Sequence, residues 1–293
     1  MRAGAVYGKA KMHIRYGFDI AMQFSQPTTL ITVLDVHPSR RGDIVREQDL
    51  STLSNHPTQA HIDVFGNLCR RIHVEDGFLH LRCDGVIRDS GEPDKAVERA
   101  KILPIMALPK ETLTYLHASR YCETDLLSDF AWERFGDITD GWQRVQAVTD
   151  FVHSHLSFGY EHASTTRSAL QAFEQKVGVC RDFAHLAVAL CRCLNIPARY
   201  CNGYLGDIGV PPDPAAMDFN AWFQAYLGGE WYTFDPRHNQ RRIGRILIGF
   251  GRDAADVPMI SSFGRHSLSK FEVVTERVPD EQAAATTERR LSP

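Results

Sequence analysis

Val177-Gly178-Val179-Cys180-Arg181-Asp182-Phe183-Ala184-His185-Leu186 sets a cysteine at the head of an apolar segment, and the rest of the chain is understood from there. Phe183, Ala187, Leu190 and Leu194 recur at three- and four-residue spacing and Pro197 closes the segment just after Asn195, which predicts a helix with Cys180 in its first turn. Unpaired backbone N–H groups and the positive end of the helix dipole favour an anion there, so the thiol pKa is expected below the free-cysteine value of about 8.5. Gly178 lets the chain turn tightly into the helix and lets a substrate backbone approach the sulfur. The plain alternative is a packing residue, because free cysteine is among the most buried side chains.

Downstream, Asp218 to Leu227, then Gly228-Gly229, then Glu230 to Pro236 reads as two strands joined by a two-residue turn. With Leu227 opposite Glu230, Trp222 faces Asp235 and Asn220 faces Arg237. One face then carries Asn220, Trp222, Gln224, Tyr226, Trp231, Thr233 and Asp235. The other carries Phe219, Ala221, Phe223, Ala225, Leu227, Tyr232 and Phe234 and is the expected core face. Asn220 and Asp235 become diagonal neighbours, close enough for their side chains to interact.

In order along the chain, G-V-C-R-D-F-A-H-L, I-P-A-R-Y-x-x-G-Y-L at Ile196 to Leu205, D-F-x-A-W, W-Y-T-F-D-P and G-R-D-A-A-D-V at Gly251 to Val257 together resemble the bacterial transglutaminase-like family of the papain-like cysteine enzymes. The resemblance implies a triad: a helix-start cysteine, a histidine in a D-F-H-A-W strand and an aspartate in the following F-D-P strand. Cys180 and Asp235 match. Asn220 stands where the family carries histidine, and an amide hydrogen-bonds but does not shuttle a proton as an imidazole does near pH 7. Three alternatives follow. His238 replaces the imidazole, which requires that Pro236 end the ladder and the following loop swing the ring back, since strict alternation puts it on the wrong face. Or the helix dipole alone holds a partly ionised Cys180. Or the site is inactive and its cleft binds a peptide or protein partner.

If the site is active, the resemblance implies attack of Cys180 on an amide carbonyl of a peptide or protein, giving a thioester that water or an amine resolves. The Cys180 backbone N–H is then an oxyanion donor, and hydrolysis is favoured over crosslinking because nothing indicates calcium sites. Trp222, Tyr226 and Trp231 are candidate substrate contacts in either case, with a core role as their alternative. His185 points about 140° away from Cys180 on the helix and shares a side with Arg181 and Arg192, so it reads as a structural histidine. Asp182 complements the helix dipole.

The 293 residues suffice for one large or two ordinary domains, and 43% hydrophobic with 24% charged content is that of a globular protein. A formal net charge of -3 points neither to nucleic acid nor to an anionic membrane. No apolar run approaches the roughly twenty residues of a membrane span, and the first thirty residues hold no signal pattern, so a cytoplasmic location is expected. Seven cysteines, an odd number without framework spacing, suggest reduced thiols. Cys191 with Cys193, and His153 with His155, lie two apart in helical segments and cannot face one metal. No metal and no cofactor are expected.

Short strand-like runs at Leu30–Val36, Ala60–Phe65, Leu68–Glu75 and Phe78–Asp84, with turns at Phe65-Gly66-Asn67 and Asp76-Gly77, predict an N-terminal antiparallel β-sandwich. It resembles the domain that often precedes the catalytic one in bacterial members of the family. From Leu113 the pattern turns helical. Trp142, Val145, Val148, Val152 and Leu156 form one apolar stripe, Leu170 and Phe173 start a short helix, and Gly244 to Phe250 is a further strand. The expected organisation is α+β: a sandwich over 11–107, a transglutaminase-like core over 108–266 with its helix-start cysteine packed on an antiparallel sheet, and a polar tail over 267–293.

Overall fold

The computed structural model describes residues 12–52, 56–75 and 77–279. The N-terminal part opens with β1 (Met12–Phe24), whose alternate residues Met12, Ile14, Tyr16, Phe18 and Ile20 are buried. It continues through β2 (Thr28–Thr32), β3 (Ile44–Thr52), β4 (Thr58–Ile62), β5 (Leu68–Val74) and β6 (Gly77–Asp89). The β4–β5 turn is closed by Asp63, whose carboxylate accepts the Phe65 and Asn67 backbone N–H groups at 2.8 and 2.9 Å, while Gly66 takes φ +89°. The Asp76 side of the other expected turn lies outside the described residues.

The second part begins with α1 (Thr124–Phe135) and α2 (Gly141–His155), followed by β7 (Ser157–Phe158), α3 (Ala169–Gln175), β8 (Val177–Gly178) and α4 (Cys180–Cys193). β9 (Ala198–Tyr204), β10 (Asn220–Leu227), β11 (Glu230–Phe234) and β12 (Ile246–Gly251) form an antiparallel sheet in the order β11-β10-β9-β12. Its Ala198, Phe223, Ala225 and Leu227 meet Phe183, Leu186, Ala187 and Leu190 of α4, with Val145, Val148 and Val152 of α2 closing the same core. α4 is thus buried on nearly every side, as a helix that carries a site between sheet and helices must be.

The chain then returns to the sandwich. β13 (Ile260–Ser262) joins the sheet β13-β2-β5-β4, and β14 (His266–Val278) pairs antiparallel along nearly the whole of β1 in the sheet β14-β1-β6-β3. The expected polar tail from residue 267 is therefore corrected: 266–278 is an edge strand. Most of its residues are exposed or half-exposed and Thr275 alone is buried, so no alternation of buried apolar residues marks it. The rest of the expected tail, 280–293, lies outside the described residues. The sandwich core also takes in Tyr204, Phe219, Ile246 and Ile248 from the second part, so the two parts share one apolar interior.

Candidate active site

The start of α4 is fixed by Asp182. Its Oδ2 accepts the Val179 backbone N–H at 3.0 Å and an Arg167 N–H at 3.2 Å, and Oδ1 accepts from Arg181 at 3.3 Å. The dipole-complementing role expected of Asp182 is what it has. Gly178 serves the same contact: a Cβ there would lie 2.6 Å from Asp182 Cβ, so the space is filled by the cap and is not open to a substrate backbone.

Cys180 is partly exposed. Burial of the sulfur's surroundings pushes its pKa up to about 11, against the opposing pull of the Arg237 charge and the Ala221 backbone N–H, while Asp218 and Asp235 add to the rise. This corrects the expected lowering. Desolvation outweighs the Arg237 charge and the Ala221 N–H. Among the described residues no imidazole is hydrogen-bonded to Cys180 Sγ.

The hairpin has the expected register, Leu227 opposite Glu230, with Gly228 and Gly229 both at positive φ (58° and 99°) as the tight turn demands. The ladder stops at Phe234, opposite Phe223. Asp235 then closes a turn: its carbonyl accepts from Asn239 N at 2.8 Å, and its Oδ1 accepts the backbone N–H groups of Arg237 and His238, each at 3.1 Å. Oδ2 meets His238 Nδ1 at 2.9 Å and accepts from Arg245 Nη2 at 2.8 Å. Burial alone would raise the Asp235 pKa, yet the Arg245 charge and the His238 hydrogen bond outweigh it and hold the carboxyl well below its usual range. An ionised Asp235 carboxylate only accepts, so His238 Nδ1 is the donor in this contact, with Nε2 left outside it.

Asn220 and Asp235 do not touch directly; Arg237 joins them. Its Nη1 donates to Asn220 Oδ1 at 3.0 Å while its own backbone N–H is held by Asp235, and its guanidinium lies 3.9 Å over the Phe158 ring. Asn220 Nδ2 donates to the Asp218 carbonyl at 3.2 Å. A narrow cleft opens here between Tyr160, Asp218, Asn220, Arg237 and His238.

Trp222, Tyr226 and Trp231 are not brought to the sulfur. Alternation turns Ala221, Phe223 and Ala225 toward α4, so the three aromatics occupy the other face of the sheet. Trp222 is 2% exposed beneath the Arg245 guanidinium at 4.9 Å. Tyr226 packs edge-on against Trp231, which also meets Tyr115. The expected substrate contacts are thus replaced by a packing role. His185 is structural, as expected: fully buried, stacked on Tyr121, its Nε2 accepting Ala254 N at 3.1 Å, and its pKa driven well below the usual value by burial and by Arg181 and Arg192. The G-R-D-A-A-D-V segment therefore anchors α4. Within it Asp253 also accepts the Tyr121 N–H at 2.8 Å.

Arg237, Arg245 and Tyr160 enter the site without a role read from the motifs, and Asp218, the first residue of D-F-x-A-W, enters beside them. The signal for the first two is the basic run that follows F-D-P, Arg237 to Arg245. Among the described residues no cluster of His, Cys, Asp and Glu has the makings of a metal site, and no helix is long and apolar enough to cross a membrane.

Residues 131–236 match the model of the transglutaminase-like superfamily. An uncharacterised protein of Mycobacterium leprae is 33% identical over 136 residues, covering 45% of this chain and 48% of that protein. One of Mycobacterium tuberculosis is 32% identical over 151 residues, covering 47% and 48%. The chain thus spans about half the length of these curated relatives. A solved structure of a candidate cysteine protease from Cytophaga hutchinsonii superimposes with a TM-score of 0.79 at 29% identity, covering 92% of each chain.

Proposed function

The chain carries a transglutaminase-like domain at residues 131–236, and from that premise we propose that it is a thiol-dependent amidase or peptidase in which Cys180 is the nucleophile and the Asp235–His238 pair supplies the base absent at Asn220. The observation that carries this reading is the 2.9 Å contact between Asp235 Oδ2 and His238 Nδ1, on a turn whose Arg237 acts on the thiol. The Cys180 proton passes to His238 Nε2 as the sulfur attacks the amide carbonyl and the C–S bond forms. Collapse of the tetrahedral intermediate breaks the C–N bond, and His238 returns the proton to the departing amine. Water, deprotonated by the same nitrogen, then cleaves the thioester and restores the thiol. Because burial pushes the thiol up to about 11, proton transfer to the imidazole accompanies attack on the carbonyl. The substrate class is a peptide or protein amide, and the seven free cysteines suit a reducing compartment such as the cytoplasm.

A second reading, a non-catalytic peptide-binding cleft, is favoured by one observation: the raised thiol has no imidazole on it. Acyl-enzyme trapping separates the two. The protein is exposed to an activated acyl ester, quenched in acid, and mapped by mass spectrometry. Acylation of Cys180 in the parent, reduced at least a hundredfold in His238→Ala, supports the enzyme. No acylation at Cys180 in the parent above that of the other cysteines would sink it in favour of the binding cleft.

A further inference from the structure

On the far face of the sheet from Cys180, a groove of about 660 Å³ lies between the strands and the sandwich, within the size range of small-molecule sites. Its sheet wall presents Arg199, Trp222, Gln224, Thr233 and Arg245; its other wall is the segment Asp89–Lys95 with Arg40. The cations here are nearly all paired: Arg40 with Asp43 and Asp89, Lys95 with Glu230, Arg242 with Asp207, and Arg245 with Asp94 and Asp235.

Arg199 is the exception: among the described residues no carboxylate lies within ion-pair distance of it. Its Nε donates to Gln224 Oε1 at 2.8 Å, and its guanidinium is clamped between the rings of Trp231 at 4.3 Å and Phe250 at 3.7 Å, beside the Tyr115 hydroxyl. A planar fork held this rigidly loses little entropy on binding an oxyanion, the arrangement in which arginine recognises carboxylates. On the same wall Arg245, 8% exposed, and Arg242, 3% exposed, hold buried N–H groups without an acceptor. Across the groove Glu92 is an exposed carboxylate outside any ion pair among the described residues, and Asp89 lies beside it.

We propose that this groove is a second binding site, for a small molecule of the amino-acid or short-peptide class, with its carboxylate on Arg199 and its ammonium group toward Glu92 and Asp89. The site is separate from the thiol, so its test needs no activity. Trp231 stacks on Arg199 and Trp222 lines the groove, so intrinsic tryptophan fluorescence reports occupancy.

The probe is triglycine, titrated at constant ionic strength against triglycinamide, N-acetyl-triglycine and inorganic phosphate, with thermal shift as a second readout. Saturable binding of triglycine, at least tenfold weaker for the amide, is expected, with a smaller loss for the acetylated form. Gln224→Glu sets a carboxylate on Arg199 at almost unchanged volume and should weaken triglycine binding at least tenfold. Should that variant misfold, Arg199→Lys keeps the charge, loses the fork, and should weaken binding at least fivefold. Equal binding of triglycine and its amide, unchanged affinity in the soluble variant, or phosphate matching triglycine would each overturn the assignment.

Discussion

Two fields oppose each other at Cys180, and their balance is the first property to measure. Burial raises the thiol to about 11 while Arg237 and the Ala221 N–H pull it down. Alkylation by iodoacetamide, followed at Cys180 by peptide mapping, should therefore still accelerate between pH 8 and 10, and Arg237→Gln should slow it further by removing the charge that lowers the thiol pKa. A plateau below pH 8 in the parent would show that the helix end wins after all. Asp235 gives the opposite sign. Its folded-state pKa is depressed, so it contributes stability that is present above the ordinary carboxylate pKa of about 3.9 and is lost as pH falls through the lower folded value. Arg245→Met removes the partner at 2.8 Å from both Asp94 and the buried Asp235. We expect a loss on the order of 3–5 kcal/mol at pH 7, and acid unfolding that begins at higher pH than in the parent. Motif order alone made Cys180, Asp235 and the asparagine in the histidine position legible. Arg237 and Arg245 were not, because their importance arises only when the Asp235–Asn239 turn and the sheet bring distant charges onto one carboxylate.

At the scale of elements, the hairpin could be registered residue by residue because a two-residue Gly-Gly turn leaves its flanking strands little choice. The same alternation, Met12-x-Ile14-x-Tyr16-x-Phe18-x-Ile20, is present in β1 and identifies it as a half-buried strand once period two is looked for from the first residues. β14 escaped because an edge strand needs only one apolar side, and most of its residues are exposed or half-exposed. The start of α4 depends on a contact that spacing does not reveal, that between Gly178 and Asp182. Gly178→Ala would drive a methyl group into Asp182 Cβ, displacing the carboxylate that holds Val179, Arg167 and Arg181. A loss of at least about 2 kcal/mol in urea unfolding is expected, from the broken cap and the half-buried guanidinium partners left behind. Unchanged stability in Gly178→Ala would mean that the cap can shift without cost.

Over the whole molecule, chain order and spatial order part company. β13 and β14 follow the candidate active-site domain in sequence but complete the two sheets of the sandwich, and β14 makes β1 an interior strand by pairing with it from His13 to Phe24. It also reaches the segment that borders the cleft: the Thr275 N–H points at Met217 Sδ at 3.4 Å, and the Thr275 carbonyl lies so close to Gly206 that a Cβ there would come within 2.3 Å of it. Leu205, Asp207, Asp213 and Met217 of this segment line the cleft beside Asn220 and His238. A chain ending at Arg265 should consequently do more than lose an appendage. β1 becomes a long unpaired edge with Phe18 and Ile20 behind it, which favours self-association. The cleft-lining segment loses its outer support, while α4, held by α2, β9 and β10, keeps its own. Hydrogen exchange on the truncated protein should show protection lost at 206–218 and at the β1 amides that face β14, retained at those that face β6 and at 183–193, with oligomers on size exclusion. Were β14 a dispensable tail, all three segments would exchange as in the full chain and the truncated protein would remain in the same oligomeric state.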